Sequence, residues 1–141
     1  RRSGWVIDAR TTTAGPQAGD RAPDVAGLQR PGVDAPLRLF DLLRGPHHTL
    51  FALGNEPLAD VARLVRSHGT DVKAYRILPA GTTAIDREFP AITDADGQFA
   101  KCYAAESGQG IVVRPDGTIG LRTDRLTPES LGDYFDRIFA R

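Results

Sequence analysis

The chain has 141 residues, the size of one domain, with 40% hydrophobic and 26% charged residues as in ordinary globular proteins. Lys plus Arg and Asp plus Glu balance at 18 each, so no net charge steers the chain toward nucleic acid or an anionic membrane. The single cysteine excludes an internal disulfide and a four-thiolate zinc site, and the longest apolar run, Leu50–Leu53, is far too short to span a bilayer.

Arginine outnumbers lysine 16 to 2, a bias that fits a GC-rich coding genome better than a phosphate-binding surface. The chain contains no Met and opens Arg1-Arg2-Ser3-Gly4, so a piece of a longer protein is expected. Trp5-Val6-Ile7 is too short for the hydrophobic core of a signal peptide, and a cytoplasmic protein is expected.

In chain order, Trp5–Asp8 reads as a short strand, followed by a Thr-, Gly- and Pro-bearing linker to Pro23. Leu37–Phe40 reads as a strand entering a helical turn over 41–43, with Asp41 as its N-cap and Gly45-Pro46 as its stop. Thr49–Gly54 is a continuous apolar run of strand length, as in a strand covered on both faces. A helix follows, with Pro57 in its first turn, Leu58, Val61, Ala62 and Val65 on one face, and Gly69 as its stop.

Val72–Leu78 is the next strand, 82–90 matches neither period, and Ala91–Asp94 forms a short strand. Gln98–Ala105 is predicted helical with Phe99, Cys102 and Tyr103 on its apolar side. Ile111–Arg114 and Thr118–Arg122 flank Pro115-Asp116-Gly117, whose residues preset a bulged hairpin turn. A last helix is capped by Thr127, with Pro128 and Glu129 in its first turn and a stripe of Leu131, Tyr134, Phe135, Ile138 and Phe139.

A strand–helix–strand unit followed by a hairpin and a helix gives an α/β protein: a mixed central sheet with helices on both faces and a C-terminal hairpin plus helix. This is a thioredoxin-like arrangement. Thiol chemistry in that fold needs cysteine just after the first core strand, yet Gly54–Asp60 contains no sulfur. The residues before Ile111 are Ser107-Gly108-Gln109-Gly110, without the proline that redox enzymes of the fold carry there. Cys102, inside a helix between Phe99 and Tyr103, is expected to be a buried small hydrophobe.

His47 and His48 are expected on an exposed turn and His68 near a helix C-terminus, all solvated, with no metal-ligand spacing among them. Asp94-Ala95-Asp96-Gly97 is a turn, because its glycine comes too early for a calcium loop. Gly108-Gln109-Gly110 lacks the third glycine of a dinucleotide fingerprint, and no Gly-x-x-x-x-Gly-Lys loop is present. No catalytic, cofactor-binding or metal-binding residue is therefore assigned.

Gly19-Asp20-Arg21-Ala22-Pro23-Asp24, Leu37–Gly45, Thr49–Gly54 and Val112–Arg122 together resemble the C-terminal region of FAD-dependent aromatic hydroxylases of the phenol-hydroxylase and pentachlorophenol-monooxygenase type. The resemblance covers residues 19–140, nearly the whole chain. It implies that residues 1–18 are a strand and linker from a preceding flavoprotein domain, and that 19–141 form a thioredoxin-like domain without thiol catalysis. The parent enzyme would use NAD(P)H and FAD to hydroxylate an aromatic ring, with both cofactors held outside this fragment. The implied partners are the FAD and substrate domains of the same chain and a second copy in a homodimer, with neither nucleic acid nor membrane. Two other readings stand beside it: a stand-alone thiol oxidoreductase or peroxidase-like protein using Cys102, and a free-standing binding module.

Overall fold

The computed structural model describes residues 5–139. Seven strands form one mixed sheet in the order β1-β7-β6-β3-β4-β5-β2. They are β1 (Ile7–Ala9), β2 (Leu28–Gln29), β3 (His48–Leu53), β4 (Val72–Pro79), β5 (Ala91–Asp94), β6 (Gly110–Val113) and β7 (Ile119–Thr123). The helices are α1 (Leu39–Leu43), α2 (Ala59–Arg66), α3 (Gln98–Tyr103) and α4 (Pro128–Ile138). β3, β4 and β5 run parallel, whereas β6 is antiparallel to both β3 and β7. β1 lies along β7 in parallel at one edge of the sheet.

Alternation along the central strands divides the core in two. Phe51, Ile77, Ile92, Ile111 and Ile119 pack beneath α1 and α3, joined by Leu39, Leu42, Phe99 and Tyr103. Leu50, Ala74, Val112 and Leu121 face the opposite way, onto Val61, Ala62 and Val65 of α2 and Leu131, Tyr134 and Phe135 of α4. Helices thus cover both faces, and the central strands β3 and β6 are buried on both sides because neither side meets water. Thr127 caps α4 as the sequence predicts, its hydroxyl accepting the Ser130 N–H at 3.0 Å.

Several expectations are corrected. Leu37 makes a single bridge to Leu28 instead of opening a strand, and α1 begins at Leu39. Arg38 occupies its N-cap position, and Asp41 sits at N3, where its carboxylate accepts the Arg38 N–H at 2.9 Å. α2 starts at Ala59 with Leu58 as N-cap, so Pro57 lies just ahead of the helix, and Gly69 opens a separate 3₁₀ turn.

Of the three histidines expected to be solvated, one is buried and the other two, His48 and His68, are half-buried. His47 is buried, and its Nε2–H donates to the Leu42 carbonyl at 3.3 Å. His48 meets Phe139 edge-on at 5.1 Å, while His68 stacks on Phe139 at 4.8 Å and meets Phe135 edge-on at 4.6 Å. Phe135 of α4 and Phe139 just beyond its end thus partly cover two imidazoles. Among the described residues no cluster could hold a metal ion.

Two predictions come from this packing. A Cβ on Gly120 would land on the Tyr134 hydroxyl and come within 2.8 Å of its ring, so this position needs glycine for space. Gly120→Ala should destabilise the chain by about 1–3 kcal/mol, the range for overpacked cores, and adding Tyr134→Phe should recover part of that in denaturant titrations.

The second concerns His48. Burial, then the nearby Arg114, depress its affinity for a proton, against the opposing pull of Asp71 and Asp116. Its stabilising contribution is therefore full above the unfolded value, about 6.5, and is lost as pH falls from there toward the depressed folded value. Stability curves across that window should fall less steeply in His48→Phe than in the unmodified chain.

Candidate functional site

In open α/β sheets, ligands and reactive groups gather beyond the carboxyl ends of parallel strands. Here that end of β3, β4 and β5 borders a cleft of about 360 Å³, walled by Leu53, Ile77, Leu78, Pro79, Phe99 and Ala100. Its polar lining comes from Asn55, Thr82, Asp94, Glu106 and Ser107. The sulfur-free segment 54–60 lies at the same place, between β3 and α2.

The segment is bound from both sides. Arg76 of β4 is fully buried and extends toward the β3–α2 connection, where one guanidinium nitrogen donates to the carbonyls of Gly54 and Glu56, each at 2.9 Å. The other terminal nitrogen donates to Asp86 at 3.1 Å. Asn55 then ties the same segment to the irregular stretch 80–90: its amide donates to the Thr83 carbonyl at 2.9 Å, and its oxygen accepts the Ile85 N–H at 2.7 Å. Gly54 adopts φ +99°, and an added Cβ would strike the Ser107 hydroxyl, so the connection also presses against the segment leading into β6. Where redox proteins of this fold keep a mobile nucleophile, this chain has a fastened loop.

Asp94 ends β5 and is buried. Its two carboxylate oxygens accept the N–H groups of Phe99 and Ala100, each at 3.0 Å, neutralising the start of α3. Among the described residues neither Lys, Arg nor His lines the cleft. These residues do not fit FAD: a dinucleotide needs free N–H groups or cations for its phosphates, and the cleft presents carboxylates.

Cys102 is exposed, which overturns the expectation of a buried thiol. α3 has only six residues, and its buried face is filled by Phe99 and Tyr103, so the intervening turn lies outside. Cys102 is not among the residues that line the cleft. The structure thus separates the only thiol from the position at which the fold does thiol chemistry.

A second buried guanidinium holds the opposite side of the sheet. Arg122 donates to the carbonyls of Pro16 and Tyr103, each at 2.8 Å, and to the Gln109 side-chain oxygen at 3.3 Å. Burial, then the neighbouring Arg10, works against its charge. Arg76 and Arg122 carry no signal in the sequence, where each occupies a strand position of ordinary alternation. Asn55 gives none either, because both of its partners lie in a stretch without periodicity.

No protein-family model and no curated protein matches the chain. Solved structures do. The chain is similar over 99% of its length to aklavinone-11 hydroxylase, whose structure is a ternary complex with FAD and aklavinone, at 26% identity and a TM-score of 0.65. It is similar over 88% of its length to the flavin-dependent monooxygenase PieE, solved with FAD and substrate, at 22% identity and a TM-score of 0.62. The chain spans only 26% and 21% of those two proteins. It also matches the C-terminal domain of a putative thiol-disulfide oxidoreductase from Bacteroides thetaiotaomicron, over 86% of this chain and 95% of that one, at 15% identity and a TM-score of 0.63. The fold is thioredoxin-like.

Removing Arg76 would leave two backbone carbonyls without their donor and Asp86 with only the Glu88 N–H. Arg76→Met is expected to cost about 3–5 kcal/mol, as for other broken buried pairs. Amide exchange at Asn55 and Ile85 should accelerate more than exchange at Val112 in the core; uniform acceleration would show that Arg76 stabilises the sheet as a whole and not this loop.

Proposed function

We propose that the chain is a non-catalytic, thioredoxin-like C-terminal domain of an FAD- and NAD(P)H-dependent aromatic-ring monooxygenase, with a structural or self-association role in its parent. The observation that carries this reading is the match to aklavinone-11 hydroxylase, in which essentially the whole chain corresponds to about a quarter of a flavoprotein at 26% identity. The fastened, sulfur-free segment after β3 supports the non-catalytic part, since thiol exchange needs a nucleophile there and freedom for it to reach a partner. Balanced charge permits close approach of like chains, and a two-fold contact is the commonest arrangement of soluble homo-oligomers.

The test is a parent enzyme truncated ahead of β1, assayed for mass by light scattering and for hydroxylation per bound flavin. A smaller assembly with unchanged turnover is the expected result. Unchanged mass overturns the association role, and lost turnover with FAD still bound overturns the non-catalytic one.

One observation favours a second reading, a stand-alone thiol oxidoreductase or peroxidase-like protein: Cys102 is exposed and open to oxidants. Under the leading reading, Cys102 in the native chain should react with a thiol reagent about as fast as in the unfolded chain, and Cys102→Ser should leave hydroxylation by the parent unchanged. Peroxide or disulfide turnover abolished by Cys102→Ser would establish the second reading.

A further inference from the structure

The cleft beyond β3, β4 and β5 has no task in the function proposed above. At about 360 Å³ it lies at the small end of the ligand-site range, roughly 300–1,000 Å³. Its apolar walls are aliphatic, and the fully buried Phe99 ring backs them, braced by Tyr103 and Phe51 with ring centroids 4.6 and 5.7 Å away. Its floor is rigid, because the segment 54–56 is held by Arg76 and the stretch 82–86 by Asn55 and Arg76. A preformed apolar cleft binds a small molecule without first ordering its own loops.

Charge selects among such molecules. A carboxylate or phosphate would find no cation among the described lining residues, and the N–H groups at the start of α3 already donate to Asp94. The formal charges lining the cleft are the carboxylates of Asp94 and Glu106, with Glu106 exposed at the mouth. Glu56 adds a third carboxylate close by: its oxygens lie within 3.7 Å of where a Cβ on Gly108 would stand. An ammonium at the mouth answers this field, and a ring system of one or two fused rings suits the walls.

We propose that this cleft is a binding site for a small hydrophobic amine, its ring between Ala100 of α3 and the β3–β4 wall and its ammonium toward Glu106. The proposal is independent of the role in a parent enzyme and survives or fails separately from it.

The experiment titrates the 141-residue chain with tryptamine, indole and indole-3-propanoate, three ligands sharing one ring system and differing in charge, and follows amide chemical shifts. The expected shifts centre on Leu53, Ala95, Ala100 and Ser107. The amine should bind roughly tenfold more tightly than the acid, with indole between them, as carboxylates at the mouth of a partly screened site require. Glu106→Gln should narrow that ratio without changing the affinity for indole. Ala100→Trp, from an exposed position on α3, should fill the cleft and abolish binding of all three; Ala80→Tyr, from the opposite wall, replaces it if α3 does not tolerate the change. Equal or tighter binding of the acid, shifts centred elsewhere, or binding that survives a filled cleft would each overturn the proposal. So would cleft shifts that grow with protein concentration in the absence of ligand, which would mean that a second copy of the chain covers the site.

Discussion

A guanidinium group withdrawn from water must find acceptors inside the protein, and a buried arginine therefore dictates what surrounds it. Arg76 and Arg122 are both fully buried, on opposite faces of the sheet, and each gathers backbone carbonyls from irregular chain or, at Tyr103, from the open C-terminal end of α3. Arg76 collects the carbonyls of Gly54 and Glu56, and Arg122 collects those of Pro16 and Tyr103. Carbonyls in irregular segments lack ladder partners, so the two side chains supply donors where secondary structure cannot. The exchange is mutual: without those carbonyls the buried charges would be far costlier than apolar side chains of similar volume.

The rest of the architecture follows from where these fastenings fall. Around Arg122, Asp124 takes the Thr11 N–H and the Gln109 amide, holding its acid below the ordinary carboxylate range, and Asp8 takes the Ala18 N–H. Residues 8–18 are thereby laid along the β7 edge of the sheet, a protected edge in place of an open row of N–H and C=O groups. Around Arg76, the segment after β3 and the stretch 82–86 become one rigid block. Such immobility opposes thiol exchange and favours recognition of a shape that does not have to adapt.

The sequence made the regular elements legible wherever local chemistry and periodicity agreed. β5, the hairpin around Pro115-Asp116-Gly117 and α4 with its Thr127 cap stand where the residues place them, because each is specified by neighbours in the chain. β2 escaped notice: two residues have no period, and Leu28 is fixed by Asp94 and Leu37, partners distant in sequence. His48 and His68 misled for the same reason, since their aromatic partners, Phe135 and Phe139, lie at the C-terminal end of the chain and are invisible to local pattern. Cys102 misled differently. Helical spacing groups it with Phe99 and Tyr103, but a six-residue helix at the surface buries only a narrow stripe, and two large rings fill it.

The candidate site was legible only as an absence. That no sulfur follows β3 could be read directly; what occupies the position instead could not, since it depends on an arginine from the next strand and an asparagine reaching 28 to 30 residues ahead. This substitution has a physical logic. A redox nucleophile at the end of β3 needs an adjacent free helix N-terminus or a cation to stabilise its negative charge. In this chain the cation that reaches the segment, Arg76, is spent on carbonyls and Asp86, which leaves only the uncapped N-terminus of α2 beside it. A cysteine restored after β3 would therefore have no cation to activate it, since Arg76 is engaged in holding the loop closed, and would depend on the α2 N-terminus alone to lower its pKa.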